Sequence, residues 1–126
     1  MTLLVKNIEQ PDEFRTMPNG NGRGAVVNVG DMVVVRGDLQ PGWRWSNDLR
    51  PIVGTASCAF PHTGIMLAGC LHIEMDDGTA LDLQAGDVYS IPAGHDAWVV
   101  GDETVRSIDW SPANAGFNAA VPLDPH

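Results

Sequence analysis

Positive charge is scarce in this chain: seven lysines and arginines stand against 16 aspartates and glutamates, a formal charge of −9. Such a chain repels a phosphate backbone or an anionic bilayer, so neither nucleic acid nor membrane is an expected partner. Cysteine is nearly absent too. Cys58 and Cys70 are too few for a disulfide framework, and a reducing compartment is the simpler reading. No run approaches the roughly 20 apolar residues that span a bilayer. The opening Met1-Thr2-Leu3-Leu4-Val5-Lys6 lacks the charged start and long apolar stretch of a secretion signal. A cytoplasmic protein is expected. Also missing is any stretch of about 11 positions with apolar residues at helical spacing, which leaves no sizeable helix.

What the chain has instead is short apolar runs punctuated by turn residues, with 14 glycines and 9 prolines in 126 residues. Its length suits one core, so a single domain over 1–126 is expected. The runs predict strands over 3–8, 25–29, 32–39, 42–46, 53–58, 63–67, 70–75, 80–83, 88–91, 97–100 and 105–110. That number calls for a closed or two-sheet all-β architecture. Between Leu71, Ile73 and Met75 on one side and Leu81 and Leu83 on the other, Asp76-Asp77-Gly78-Thr79 reads as a β-hairpin turn. The stretch 18–24, rich in glycine and asparagine, reads as an exposed loop. Residues 111–126, with Pro112, Pro122 and Pro125, form a tail that wraps the domain or a partner subunit.

From His62 onward the chain resembles the cupin superfamily. Gly86-Asp87-Val88-Tyr89-Ser90-Ile91-Pro92-Ala93-Gly94 reproduces the glycine, proline and glycine of the second cupin motif at the family's spacing, and 62–69 resembles the end of the first. With Pro41-Gly42-Trp43-Arg44-Trp45-Ser46 and the segment 94–103, the likeness extends to small single-domain bacterial cupins of the cupin type 2 kind. The resemblance implies a double-stranded β-helix, or jelly-roll barrel, with a core over about 32–110, N-terminal strands within 1–31 and a functional site in the barrel interior. Small jelly rolls tend to dimerise by burying exposed strands, so a homodimer is expected. The family's usual ligands, two histidines, a glutamate and a further histidine, are largely substituted. His62 stands where the glutamate is expected, and counting back from it puts Cys58 at the second histidine and Ala56 at the first. Counting forward from Gly42 gives Asp48 and Arg50 instead, so 46–51 carries an insertion. Ala97 replaces the last histidine, and His95 lies two residues before it.

Cys58, His62 and His95 are therefore the candidate metal ligands, with His62 and His95 also candidate catalytic acid and base. A Cys-His-His set with water suits zinc, and imidazole also accepts iron, nickel or copper. The alternative is structural: Cys58 a small buried hydrophobe, His62 a hydrogen-bonded pocket residue, His95 a turn cap with Asp96. Trp45, Gly64, Met66 and Trp98 are the candidate substrate-binding residues. Gly64 leaves space for a ligand or allows a close approach by another strand. Core packing is the expected role of Trp110. Arg36, Arg44 and Arg106 fall on strands, where one could hold a carboxylate or all could face solvent. Asp96 and Asp109 are candidate partners for His95 or for an arginine. His72, between inward Leu71 and Ile73, should point outward. The function expected is small-molecule binding with metal-assisted or histidine-dependent lyase, isomerase or oxygenase chemistry. The alternative is a non-catalytic ligand-binding or sensing module without metal.

Overall fold

The computed structural model describes residues 2–17 and 19–115. Pro18 of the expected loop, and the expected tail from 116 onward, lie outside the described residues. The described residues form nine strands: β1 (Glu13–Thr16), β2 (Gly22–Val29), β3 (Met32–Leu39), β4 (His62–Ala68), β5 (Cys70–Met75), β6 (Ala80–Gln84), β7 (Val88–Ile91), β8 (His95–Val99) and β9 (Val105–Pro112). They form a six-stranded sheet in the order β1-β2-β3-β9-β4-β7 and a three-stranded sheet in the order β6-β5-β8. All pairings are antiparallel. This is the all-β, two-sheet jelly roll expected, with two stacked sheets rather than a closed barrel.

The inner faces of both sheets supply one core. Val26, Val33, Met66, Tyr89 and Val105 come from the larger sheet, and Ile73, Leu83, Ala97 and Val99 from the smaller. Alternation along each strand makes this possible, since every second residue faces the opposite sheet. In β8 the pattern is clear: His95, Ala97 and Val99 are buried while Asp96 and Trp98 are half-buried on the other face. The hairpin between β5 and β6 closes as expected, with the Gly78 N–H donating to the Met75 carbonyl at 2.9 Å and Gly78 at a φ of +90°.

Three expected strands are not strands. Residues 3–8 join no strand, and Leu3 and Val5 are 96% and 90% exposed. The outer edge of β2 is taken by β1, whose Glu-Phe-Arg-Thr sequence has no apolar run and carries no strand signal. The stretch 42–46 runs into a single helical turn, α1 (Trp45–Asp48), because the Asp48 carboxylate accepts the Arg44 N–H at 2.8 Å and holds the turn closed. In place of a strand over 53–58 a second turn, α2 (Arg50–Val53), ends at Gly54 with a φ of +78°, and a loop follows. The inserted stretch 46–51 is thus spent on two helical turns. No helix among the described residues is long and apolar enough to cross a membrane.

Candidate metal and substrate site

Between the sheets lies a cavity of about 160 Å³, walled chiefly by apolar side chains from both layers. Cys58, His62 and His95 stand together in that wall. Each arrives differently. His62 is the first residue of β4, paired with Ile91 at the end of β7. His95 opens β8 after the Pro92-Ala93-Gly94 bend, where Gly94 takes a φ of +92° that favours glycine. Cys58 is brought in by an isolated bridge: its N–H donates to the His95 carbonyl at 2.7 Å, and its carbonyl accepts the Gly94 N–H at 2.7 Å. The three candidate ligand atoms all lie within 4.8 Å of one another.

The outer nitrogens of both imidazoles are already committed. His95 Nδ1 lies 2.8 Å from the Pro92 carbonyl, which can only accept, so Nδ1 donates there and Nε2 is the nitrogen left to serve as a ligand. His62 Nδ1 donates to Asp109 Oδ2 at 2.8 Å, and its Nε2 faces Cys58 Sγ at 3.7 Å. Asp109 is held in turn by the Tyr89 hydroxyl, which donates to Oδ1. Tyr89 and Asp109 stand opposite Gly64 on either side in one row of the sheet, two residues along β4 from His62. A Cβ at Gly64 would lie 2.6 Å from Asp109 Oδ1 and 2.7 Å from the Tyr89 hydroxyl. Of the two explanations for Gly64, close approach is therefore the operative one.

The electrostatics follow from this arrangement. Burial pushes the Cys58 thiol up, but hydrogen bonds from His62 and His95 and the nearby His62 charge outweigh it and bring the pKa down to about 6. Burial pushes His62 down, and its bonds to Asp109 and Cys58 more than reverse this, raising it to about 9. Burial and then the Asp109 charge raise the Tyr89 phenol, which stays protonated and donating. With no metal bound, Cys58 and His62 form a thiolate and imidazolium pair near neutral pH.

Of the candidate substrate-binding residues, Trp45 lines the cavity and Gly64, Met66 and Trp98 are not part of its lining. Met66 is fully buried in the core. Trp98 faces away from the cavity, its ring 4.4 Å from the His72 ring and 4.1 Å from the Arg44 guanidinium. His72 accordingly points outward, and its Nδ1 sits 2.6 Å from Asp82 Oδ1. None of the three arginines singled out enters the cavity. Arg36 pairs with Glu9 at 2.6 Å, Arg44 with Asp96 at 3.3 Å and Arg106 with Asp38 at 2.7 Å. Asp96 serves Arg44 and the Ser46 and Ala97 N–H groups rather than His95. Sequence reasoning missed Tyr89 and Arg15, both in the lining. The signal for Tyr89 was its being the sole tyrosine, placed on a strand of the motif; Arg15 had no signal because its strand had none.

No protein-family model matches the chain, and no curated protein matches it. Solved structures do. A cupin-like protein from Thermotoga maritima is 20% identical with a TM-score of 0.53, covering 83% of this chain and 75% of that one. A sugar phosphate isomerase from a cupin superfamily, from Silicibacter pomeroyi, is 13% identical with a TM-score of 0.60, covering 85% and 74%. The FeII form of HppE is 10% identical with a TM-score of 0.61, covering 86% and 59%. The chain has the cupin fold.

Proposed function

We propose that the cavity binds a small organic molecule beside a divalent metal held by Cys58, His62 and His95, and that the protein catalyses an isomerase or lyase reaction there. The observation that carries this reading is the convergence of three ligand atoms within 4.8 Å in the wall of an apolar cavity. Two features of the donor set fit a metal. A tetrahedral zinc with its usual bond lengths separates a sulfur and a nitrogen ligand by about 3.6 Å, and Cys58 Sγ and His62 Nε2 are 3.7 Å apart. Both histidines also donate their second nitrogen to an acceptor, as metal-bound imidazoles commonly do. Zinc is the best match to one thiolate and two imidazoles, and iron, nickel and copper are accepted by the same donors.

A metal there would supply Lewis acidity toward a substrate oxygen and lower the pKa of a bound water. The chain's own residues do the rest. Asp109, clamped by Tyr89, fixes the His62 ring, and the Pro92 carbonyl fixes His95. Trp43, Trp45 and Phe60 exclude water, which strengthens every charge interaction at the site. Support for catalysis comes from the fold's having a named sugar phosphate isomerase and an FeII protein among its members.

Elemental analysis of protein purified without an affinity tag tests the reading. About one divalent metal per chain is expected, lost in Cys58→Ser, His62→Ala and His95→Ala while circular dichroism shows the fold retained. Wild-type protein that neither carries a metal nor is stabilised by added zinc, iron, nickel or copper would sink it. A second reading is favoured by the Cys58, His62, Asp109 arrangement itself: without metal, His62 holds a proton between thiolate and carboxylate and acts as a general acid and base. That reading expects activity insensitive to chelators and abolished in His62→Ala.

A further inference from the structure

The wall contributed by β1 and β2 holds a charge that the metal site does not use. Arg15 is only 4% exposed and lines the cavity beside Met17, Gly24 and Gly37, with the exposed Arg23 on the neighbouring strand also in the lining. A buried guanidinium is costly unless its charge is met. Glu13 Oε1 meets it, accepting from Nη2 at 2.7 Å and Nε at 3.2 Å. The strand register explains how so long a side chain enters. Arg15 stands opposite Gly24, Gly24 opposite Gly37, and Gly37 opposite Ser107. Glycine within a strand weakens it and marks a place where something must pass close to the backbone. Two in a single row leave a bare strip of sheet between Arg15 and Ser107, all four residues lining the cavity. A Cβ at Gly37 would crowd Ser107 Oγ at 3.2 Å, and one at Gly24 would crowd Val35 at 3.2 Å. Beyond Ser107 on the same strand comes Asp109, the carboxylate that holds His62. Three strand spacings separate the two ends of the strip, about 14 Å, a span that leaves room for a molecule the length of benzoate.

We propose that Arg15 is the carboxylate anchor of the cavity, and that the ligand is a small monocarboxylic acid with an apolar body, its reacting end toward His62 and His95. The inference rests on the reading that chemistry occurs at Cys58, His62 and His95. A carboxylate matches the planar guanidinium fork. A single negative charge fits better than the two of a phosphate monoester, because Glu13 already offsets Arg15. The apolar walls bind the body. An apolar cavity of about 150 Å³ accepts benzene, and this one is about 160 Å³.

The test uses butyrate, benzoate and phenylacetate, each beside its uncharged amide, with binding read by calorimetry and by the fluorescence of Trp43 and Trp45. At least one acid is expected to bind wild-type protein roughly tenfold or more tighter than its amide, and Arg15→Gln to weaken the acid by roughly ten- to a hundredfold while leaving the amide unchanged. No preference for any acid, or a preference that survives Arg15→Gln, overturns the anchor. Should Arg15→Gln not fold, Arg15→Lys and Glu13→Gln decide: the first must reduce the preference and the second increase it, and an unchanged preference in both overturns it. Metal content measured on the same samples separates the two proposals. Metal without acid preference removes only the anchor, and acid preference without metal removes only the metal site.

Discussion

Asp109 Oδ2 accepts the Nδ1–H of His62 at 2.8 Å, joining the first residue of β4 to one 47 positions later on β9. The bond fixes which nitrogen of His62 faces Cys58, and the Tyr89 hydroxyl on the same carboxylate keeps Asp109 from turning away.

Asp109→Asn keeps the volume and removes the charge. The expected outcome is a loss of metal affinity of about 10- to 100-fold, measured by competition against a chromophoric chelator, with the metal still bound by the same three ligands. Undiminished affinity would show that Asp109 has no part in holding the ring for a metal.

In metal-free protein, the thiolate absorbance of Cys58 should titrate with a midpoint of about 6, and His62 should lose its proton at about 9. The His62→Ala substitution returns the thiol toward its ordinary value of about 8.5. The stability effects have opposite signs. Cys58 is depressed, so its contribution is present above the ordinary thiol pKa and is lost as the pH falls through about 6. His62 is raised, so its contribution is complete below the ordinary imidazole pKa and is lost as the pH rises through about 9. Urea midpoints across pH for wild type, Cys58→Ser and His62→Ala check both: the serine variant's deficit shrinks in acid and the alanine variant's in base.

Metal binding must displace the proton on His62 Nε2, so zinc affinity is expected to rise with pH up to about 9 and to fall more steeply below about 6, where the thiol proton must leave as well. Calorimetry in buffers of different ionisation enthalpy counts the protons released. A flat affinity across this range would contradict the thiolate and imidazolium pair.

Gly64→Ala places a methyl group against Asp109 Oδ1 at 2.6 Å and the Tyr89 hydroxyl at 2.7 Å, with the Ile108 carbonyl of the neighbouring strand closer still. Backbone in a sheet interior does not move aside easily, so a loss of about 2–3 kcal/mol is expected by urea denaturation. Wild-type stability in this variant would show that the row Tyr89, Gly64, Asp109 is looser than described.

Trp98 and Trp45 should behave oppositely. Trp98→Ala removes a ring stacked between Arg44 and His72 outside the cavity, costing about 1 kcal/mol of stability and leaving the affinity of cavity ligands unchanged. Trp45→Phe alters the cavity wall itself and should change that affinity. Equal effects on binding would place Trp98 at the ligand after all.

The elements legible in the sequence were those whose signal is local. The strand over 32–39 and the hairpin at 76–79 match the structure, since alternation and a left-handed glycine are properties of neighbouring residues. The turns at Gly86 and Gly94 likewise have φ near +92°, as the motif requires. Failures came where the outcome depended on a distant partner. Residues 3–8 look like a strand but find no free edge, β1 looks like nothing and finds one, and Trp43-Arg44-Trp45 alternates like a strand yet is turned by the Asp48 carboxylate.

The same division holds for the site. Cys58, His62 and His95 could be grouped from the sequence because motif spacing sets their places along β4, β8 and the loop before them. The sequence by itself thus determined an all-β jelly roll and the chemical types at its interior. Only the tertiary structure decided that Asp109 belongs to His62, that Tyr89 secures it, and that Arg15 rather than Arg36, Arg44 or Arg106 enters the cavity. Those choices follow from the strand order β1-β2-β3-β9-β4-β7, which sets residues far apart in the chain side by side in one row. Local pattern fixes which face a side chain takes, and pairing between distant strands fixes whom it meets there.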